Sequence, residues 1–401
     1  MTLMRRPVRA LSALLCAMAL AGAFTVVGAG AASASSILRV GCGRDSYPTI
    51  GAAVGAAASG ETIIVCPGTY HEDVVVSKAL SIVGVGHPVI DATGQDNGVH
   101  VLASGSNIQG FTVKNAIGEG ILVGLVTAPI SHVTISRNTV RHNDLGNPDG
   151  GNLSDSPYPQ CNAANNIPGD CGEGIHLANA FDSTVVSNTV DGNSGGILLS
   201  DDTGQTYGNL VAFNNVYRNI FDCGVTIASH LPEVFGGGVH DNKIIGNRVT
   251  GNGVAGQGGG VLLATGVPGN VPGIPGTGGA VYSNLVQGNY LAGNGLGGVT
   301  LHSHAPGEDL NGNTVIGNTI GTNNLDPDLD FVGFGSQFFD GETTGVLVAA
   351  ASNVTITIKG NLIFNNVIGV WLGQAGGATI TAVGTAANRF VNVKNPVVTV
   401  S

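Results

Sequence analysis

Residues 188–230 read NTVDGNSGGILLSDDTGQTYGNLVAFNNVYRNIFDCGVTIASH. Two short patterns recur here. One is a strand opener, Gly-(Val/Ile)-x-(Leu/Val/Ile), at Gly196 and Gly224. The other is Asn-x-(Val/Ile/Leu)-x-x-Asn, starting at Asn188 and Asn214. Further openers begin at Gly98, Gly120, Gly174, Gly260, Gly298, Gly345 and Gly369, and further asparagine motifs at Asn138, Asn247, Asn289, Asn318 and Asn361, with a degenerate copy at Asn388. The shortest opener spacings are 22 and 24 residues, and the longer ones exceed these by inserted loops.

A unit of about 22 residues holding two or three short strands and no helix is one coil of a right-handed parallel β-helix. A single coil cannot bury its own apolar face, whereas stacked coils share a continuous Val/Ile/Leu core. The expected fold is therefore all-β, one single-stranded solenoid of about ten coils. The composition agrees. With 65 glycines and only 10% charged residues, little amphipathic helix can be written. The recurring asparagines belong to the scaffold in this reading. Stacked at one inward corner, their amides would bond one another and the turn backbone along the axis. One helix is predicted. YPTIGAAVGAAASGE, residues 47–61, has helical apolar spacing at Ile50, Ala53, Val54 and Ala57 and would cover strand edges that the first coil otherwise exposes.

Residues 1–34 have the pattern of a signal peptide: Arg5, Arg6 and Arg9, an Ala/Leu-rich run, then Ala32-Ser33-Ala34. Cleavage is expected after Ala34, leaving one domain over 35–401 that is exported and has no membrane anchor. That removes three of the 15 Lys/Arg and none of the 26 Asp/Glu, so the mature chain carries 12 against 26, a formal charge of −14. Such a balance disfavours nucleic acid and anionic membrane surfaces as partners. Cys42 with Cys66 and Cys161 with Cys171 are plausible disulfides in an exported chain, leaving Cys223 as a buried apolar residue.

The segment YPTIGAAVGAAASGETIIVCPGTYHEDVVVSKALSIVGVG, with its Pro-Gly-Thr-Tyr turn at 67–70 and Glu72, resembles the N-terminal part of pectin-lyase-like β-helix proteins. The remainder is similar to secreted Gly/Asn-rich β-helix repeat proteins of actinomycetes. The resemblance spans nearly the whole mature chain and implies the fold. It leaves activity open, because that scaffold carries lyases, hydrolases, esterases, epimerases and non-enzymatic proteins.

Strand alternation assigns the residues one and three after each opener glycine to the core, and those two, four and six after it to the outside. The outward column is bland at both ends: His100, Leu102, Leu122 and Gly124 early, then Leu347, Ala349, Trp371 and Gly373 late. Between them it carries His176, Ser200, Asp202, Thr226, His230, Thr300, His302 and His304, interrupted by Leu262 and Ala264. Adjacent coils lie ~4.8 Å apart, so Asp202 and His230 are expected within hydrogen-bonding reach. The longest loops follow this strand, at 203–210, 231–238, 266–280 and 305–312 and between Cys161 and Cys171. Loops on one edge make walls, and the column becomes the floor of a groove.

The expected function is binding and cleavage of an extracellular polysaccharide by a glycoside hydrolase or polysaccharide lyase. Asp202 is the candidate acid/base, Asp201 or Asp222 the partner carboxylate, and His230 and His304 complete the catalytic set. His176, Thr226, Thr300, His302 and Glu308 would bind substrate. FDCGVTI, residues 221–227, resembles the Asp-Asp-Cys strand of β-helix polygalacturonases, but with one Asp, and that family's Asn-Thr-Asp and Arg-Ile-Lys motifs are missing. A lyase would further need positive charge beside the base, and no Lys or Arg occupies the column. No cofactor is required. A divalent cation, calcium or a transition metal, would be held by the acids in a lyase, and His302 and His304 with a carboxylate would make a site for a transition metal. DPDLD at 326–330 has calcium-like acid spacing, but Phe331 and Gln337 stand where a calcium loop needs Gly and Glu, so a solvated acidic loop is expected. The competing function is a non-catalytic surface protein that binds glycan through the same face. A monomer is expected.

Overall fold

The computed structural model describes residues 37–143, 171–255, 258–266, 278–325 and 341–401. Residues 1–34, where a signal peptide is expected, Cys161 and the DPDLD stretch lie outside these residues, as does most of the 266–280 stretch.

The chain winds as a right-handed parallel β-helix. Every strand pairs in parallel with its counterpart one coil away, in four stacks. Sheet C contains the openers in 11 strands, from Val74–Val76 to Asn395–Val400. Each coil then passes through sheet A of 12 strands and sheet B of 11, and five of the coils reach sheet A by way of sheet D. Sheet D is short, with five strands running from Ile130–Ser131 to Val281–Tyr282. Register is set by the apolar alternation, because a slip of one residue would turn every core side chain outward. Ile197 accordingly pairs with Ile175 on one side and Val225 on the other, and all three are fully buried.

Asparagine stacks fix the corners. One ladder runs through the predicted series, each side-chain amide donating to the carboxamide oxygen of the next, as Asn188 does to Asn214 at 3.0 Å and Asn214 to Asn247 at 3.0 Å. The same oxygens accept the backbone N–H of the previous asparagine. The sequence pattern points to one corner, yet three ladders form. The second asparagine of the motif builds another, Asn143–Asn193–Asn219–Asn252–Asn294–Asn323. A third, Asn209–Asn242–Asn284–Asn313, guards the bend into sheet A. Buried turn backbone needs donors and acceptors at every corner, and the amide supplies both.

The cap helix is shorter than predicted, Ile50–Ala56, with Thr49 as N-cap and Ala57 already extended. Ile50, Ala53 and Val54 face the first coil. Glu72 accepts from the N–H groups of Ile50 and Gly51 at 2.7 and 2.8 Å, and Lys78 Nζ bonds the carbonyls of Val54, Gly55 and Ala57 at the other end. An acid at the positive end and a cation at the negative end is the arrangement the helix dipole favours. Cys42 is bonded to Cys66. Cys171 is disulfide-bonded, and Cys223 is free and buried.

On sheet D, Phe181, Tyr207, His240 and Tyr282 stack face to face at 5.1, 5.1 and 4.7 Å, with His132 edge-on to Phe181. Among the described residues no helix is long and apolar enough to cross a membrane.

Candidate active site

Sheet C differs from the sheets beside it. Strands of sheet A and sheet B alternate buried with partly exposed positions, whereas Glu173–Ala178, Gly195–Ser200 and Val225–Ser229 are buried throughout. The outward column is therefore not an open groove floor. His176, Ser200, Thr226, Thr300 and His302 are all withdrawn from solvent. Reachable chemistry lies one step further on, where sheet C bends towards sheet D.

Asp202 and His230 sit at that bend, each six residues after its opener glycine, on strands that pair Ser200 with Ala228. His230 Nδ1 lies 2.8 Å from Asp202 Oδ1. Ser200 Oγ donates to Asp202 Oδ2 at 2.5 Å and lies 2.7 Å from His176 Nε2. His176 Nδ1 lies in turn 3.5 Å from Glu119 Oε1. Four successive coils thus contribute one polar chain, Glu119–His176–Ser200/Asp202–His230. Its inner end is sealed, while the His230 side chain keeps 18% of its surface in solvent against 2% for His176.

The electrostatics divide the acids into two kinds. Burial alone would raise Asp202, but the His230 hydrogen bond, the charges of His230 and His176, and the Ser200 hydroxyl outweigh it and hold the carboxyl below its ordinary range. Burial wins at Glu119, which is raised despite its contact with His176. It also wins at Asp222, whose carboxyl accepts the Cys223 N–H at 2.6 Å, bonds to Glu173 and feels the charge of His230.

Asp201 is a loop anchor. Its carboxylate accepts from Ser229 Oγ at 2.6 Å and from the backbone N–H groups of His230, Leu231 and Gly238 at 2.7, 3.1 and 2.6 Å. Both ends of the 231–238 loop are tied to this one side chain. Gly237 permits the approach, since a Cβ there would stand 2.2 Å from the Leu231 carbonyl oxygen. Glu308 is a second anchor, three coils further along, its Oε2 accepting from Thr265 Oγ1 and from the N–H groups of His304 and Ala305. Thr300 packs over Gly259 and Gly297. His302 and His304 form an edge-to-face pair with ring centroids 4.4 Å apart. His304 Nδ1 bonds the Thr265 carbonyl, and burial keeps both rings below the usual histidine range, His302 most strongly. They are two coils from His230, so the expected catalytic set separates into an Asp202–His230 dyad and a distant His302–His304 pair. A cleft of about 360 Å³ between Thr343, Asn365, Asn392 and Lys394 lies at the other corner of the last coils, and neither His nor carboxylate lines it.

The profile of the family described as "Periplasmic copper-binding protein (NosD)" matches residues 54–257, just over half of the chain. The chain belongs to the NosD family. No curated protein matches the sequence. Among solved structures, this NosD-family chain is similar to the mannuronan C-5 epimerase AlgE4 A-module of Azotobacter vinelandii, at 15% identity over 87% of this chain and 91% of that one, with a TM-score of 0.51. It is also similar to pectate lyase Pel9A, at 15% identity over 88% and 78% of the two chains with a TM-score of 0.45. A third likeness is to DFA-IIIase from Arthrobacter chlorophenolicus A6 without its lid, at 12% identity over 90% and 99% with a TM-score of 0.45. At 15% identity the likeness to the epimerase A-module speaks for the fold alone.

Two residues of this NosD-family site escaped the pattern reading, Glu119 and Glu173. Both stand immediately before an opener glycine, outside the columns that alternation defines. A signal was present, since Gly-Glu-Gly occurs at 118–120 and again at 172–174 in the next coil. Gly195, the pairing partner of Glu173 one coil further on, leaves the space: a Cβ there would lie 2.2 Å from both Glu173 carboxylate oxygens.

Proposed function

We propose that this NosD-family protein is an exported glycan hydrolase whose general base is His230, oriented by Asp202. The hydrogen bond from His230 Nδ1 to Asp202 carries this reading. With Nδ1 donating, the lone pair sits on Nε2, and the carboxylate stabilises the imidazolium formed when a proton is taken up. That reverses the roles expected from sequence. Asp202 is held ionised and already bonded, so it positions, and His230 moves the proton. In the proposed step His230 takes a proton from water, the water oxygen bonds to the anomeric carbon, and the glycosidic C–O bond breaks. The leaving oxygen takes its proton from Asp222, whose carboxyl burial raises above the usual range. A lyase is disfavoured because all 12 Lys/Arg outside the signal segment lie off this edge, leaving no Lys or Arg to hold an enolate. The Cys42–Cys66 disulfide supports a location outside the cytoplasm.

The family description names copper, a metal that favours imidazole, thiolate and thioether donors. Asp201, Asp202 and His230 bring ligand atoms within 4.8 Å of one another, but the Asp201 oxygens are taken by four donors and the Asp202 oxygens by His230 and Ser200. Cys223 accepts the Gly259 N–H at 3.1 Å, and burial pushes its thiol up. His302 with His304 offers two imidazoles, and among the described residues no third His, Cys, Asp or Glu joins them. The described residues do not complete a copper site, and no step of the proposed reaction runs through one.

The test is incubation of the mature protein with a panel of polysaccharides. New reducing ends that depend on His230 support the hydrolase. Unsaturated products would replace it with a lyase. Binding without any product would make the protein a non-catalytic glycan binder.

A further inference from the structure

The loop 231–238 leaves His230 and returns to Gly238, and one carboxylate, Asp201, ties down both ends. Between those ends a 3-10 turn spans Glu233–Phe235, closed by Gly236 in the left-handed region at φ 85°. Gln205 Nε2 braces the loop further by donating to the Gly237 carbonyl. Such anchoring holds the tip in one place, yet the tip does not pack into the core. Phe235 exposes 58% of its surface, and Glu233 is exposed beside it. An anchored loop that places a bare aromatic ring five residues from the catalytic base has the form of a substrate platform. The aromatic ladder of sheet D cannot serve instead. Its rings face one another along the axis at about 5 Å, so the faces between them are covered, whereas a sugar ring packs on an aromatic face.

Charge narrows the ligand. Outside the signal segment the cations number 12, and each has a place elsewhere. Lys114, Arg141, Arg248 and Arg389 lie on sheet B and Arg39, Lys243 and Lys359 on sheet A. Arg137 and Arg218 occupy the turns flanking sheet B, Lys78 holds the helix carbonyls, and Arg44 and Lys394 are near the two ends. The edge around His230 instead carries Asp202, Glu233 and Asp309. Burial raises the phenol of Tyr282, and the nearby carboxylates Glu233, Asp241 and Asp309 raise it further. A polyuronate would meet only like charge here, at a cost that no neighbouring Lys or Arg offsets.

We propose that Phe235 and Glu233 form a subsite for an amino sugar, Phe235 receiving the apolar face of the ring and Glu233 its ammonium group, so that the substrate class is a glycan with free amines. This rests on the hydrolase reading of the His230 site and adds the substrate to it.

The experiment measures calorimetric binding of β-linked oligosaccharides in three series, glucosamine, N-acetylglucosamine and uronate, to the full mature protein and to its F235A, F235W and E233Q variants. The expected order is glucosamine first and uronate last. F235A weakens glucosamine binding about tenfold, and F235W restores it. E233Q lowers glucosamine binding at least about fivefold and leaves N-acetylglucosamine unchanged, and added salt reduces the preference. Equal or tighter binding of uronate, or an E233Q variant with unaltered preference, overturns the amino-sugar subsite. The enzyme reading fails separately: it falls if no glycan of any series yields product, and it survives a wrong substrate class if a neutral or acidic glycan is cleaved in a His230-dependent way. Phe235 and Glu233 are exposed, so these variants fold.

Discussion

Oδ1 of Asp202 and Nδ1 of His230 are 28 residues apart in the chain and 2.8 Å apart in space, because one coil of the helix separates them. Behind Asp202 the polar chain continues through Ser200 and His176 to Glu119. The dyad is thus the solvent end of a buried network. Its geometry is set by strand register and leaves little freedom to the two side chains.

Replacing His230 by Gln removes the proposed base and lowers kcat by about 10²–10⁴-fold. Asp202→Asn leaves the ring in place but offers it an amide, so kcat falls by a comparable factor while KM changes little. Steady-state kinetics on the glycan identified by the panel checks both. Asp202→Asn with full kcat would refute the orienting role.

Asp73 supplies a stability prediction with a definite sign. Burial raises its carboxyl to about 6 from the usual 3.8, against the pull of His100. A raised acid favours the folded state in its protonated form. That contribution is therefore complete below about pH 4 and declines as pH rises through 6. Asp73→Asn should be more stable than the parent at pH 7, by on the order of 1 kcal/mol once its partial exposure is allowed for, and indistinguishable at pH 4. Denaturant melts at the two pH values measure the difference.

Asn214 is a central rung of the predicted ladder. Its oxygen accepts from Asn188 backbone and side chain, and its amide reaches the Val185 carbonyl and Asn247. Asn214→Ala orphans buried groups above and below it and costs about 2–5 kcal/mol. Asn214→Asp keeps the volume but sets an acceptor against the Val185 carbonyl, and urea titration should find it at least as destabilised.

Tyr207 stands between Phe181 and His240 in the aromatic ladder. Tyr207→Ala breaks two stacked pairs, worth about 0.5–1.5 kcal/mol each beyond the buried area. Stability should fall while glycan affinity is unchanged. A loss of affinity without a loss of stability would make the ladder a binding surface.

Metal removal gives the last test. No step of the proposed hydrolysis uses a metal, so product formation should be the same before and after exhaustive dialysis against chelator. Loss of activity that copper alone restores would return the site to the His302–His304 pair.

Sequence alone determined the solenoid. Glycine openers and asparagine motifs recur at the length of one coil, and alternation within each opener gives the register that places Ile175, Ile197 and Val225 above one another. The same counting brought Asp202 to His230. What lies outside strict alternation had to come from the folded chain. Glu119 enters the site from a turn, where side-chain direction depends on local φ and ψ rather than on parity, and Glu173 from the first position of its strand, ahead of the opener glycine from which the alternation was counted. Asp201 and Glu308 read as candidate site acids but accept from nearby backbone N–H groups, Asp201 through both oxygens and Glu308 through Oε2, because the bends they occupy leave N–H groups without strand partners. Whether a column faces water is likewise a property of everything packed over it. Periodicity fixes the side on which a residue emerges, and only tertiary packing decides whether that side is a surface, so the outer face of the central strands Glu173–Ala178, Gly195–Ser200 and Val225–Ser229 is buried and the polar chain reaches solvent at His230.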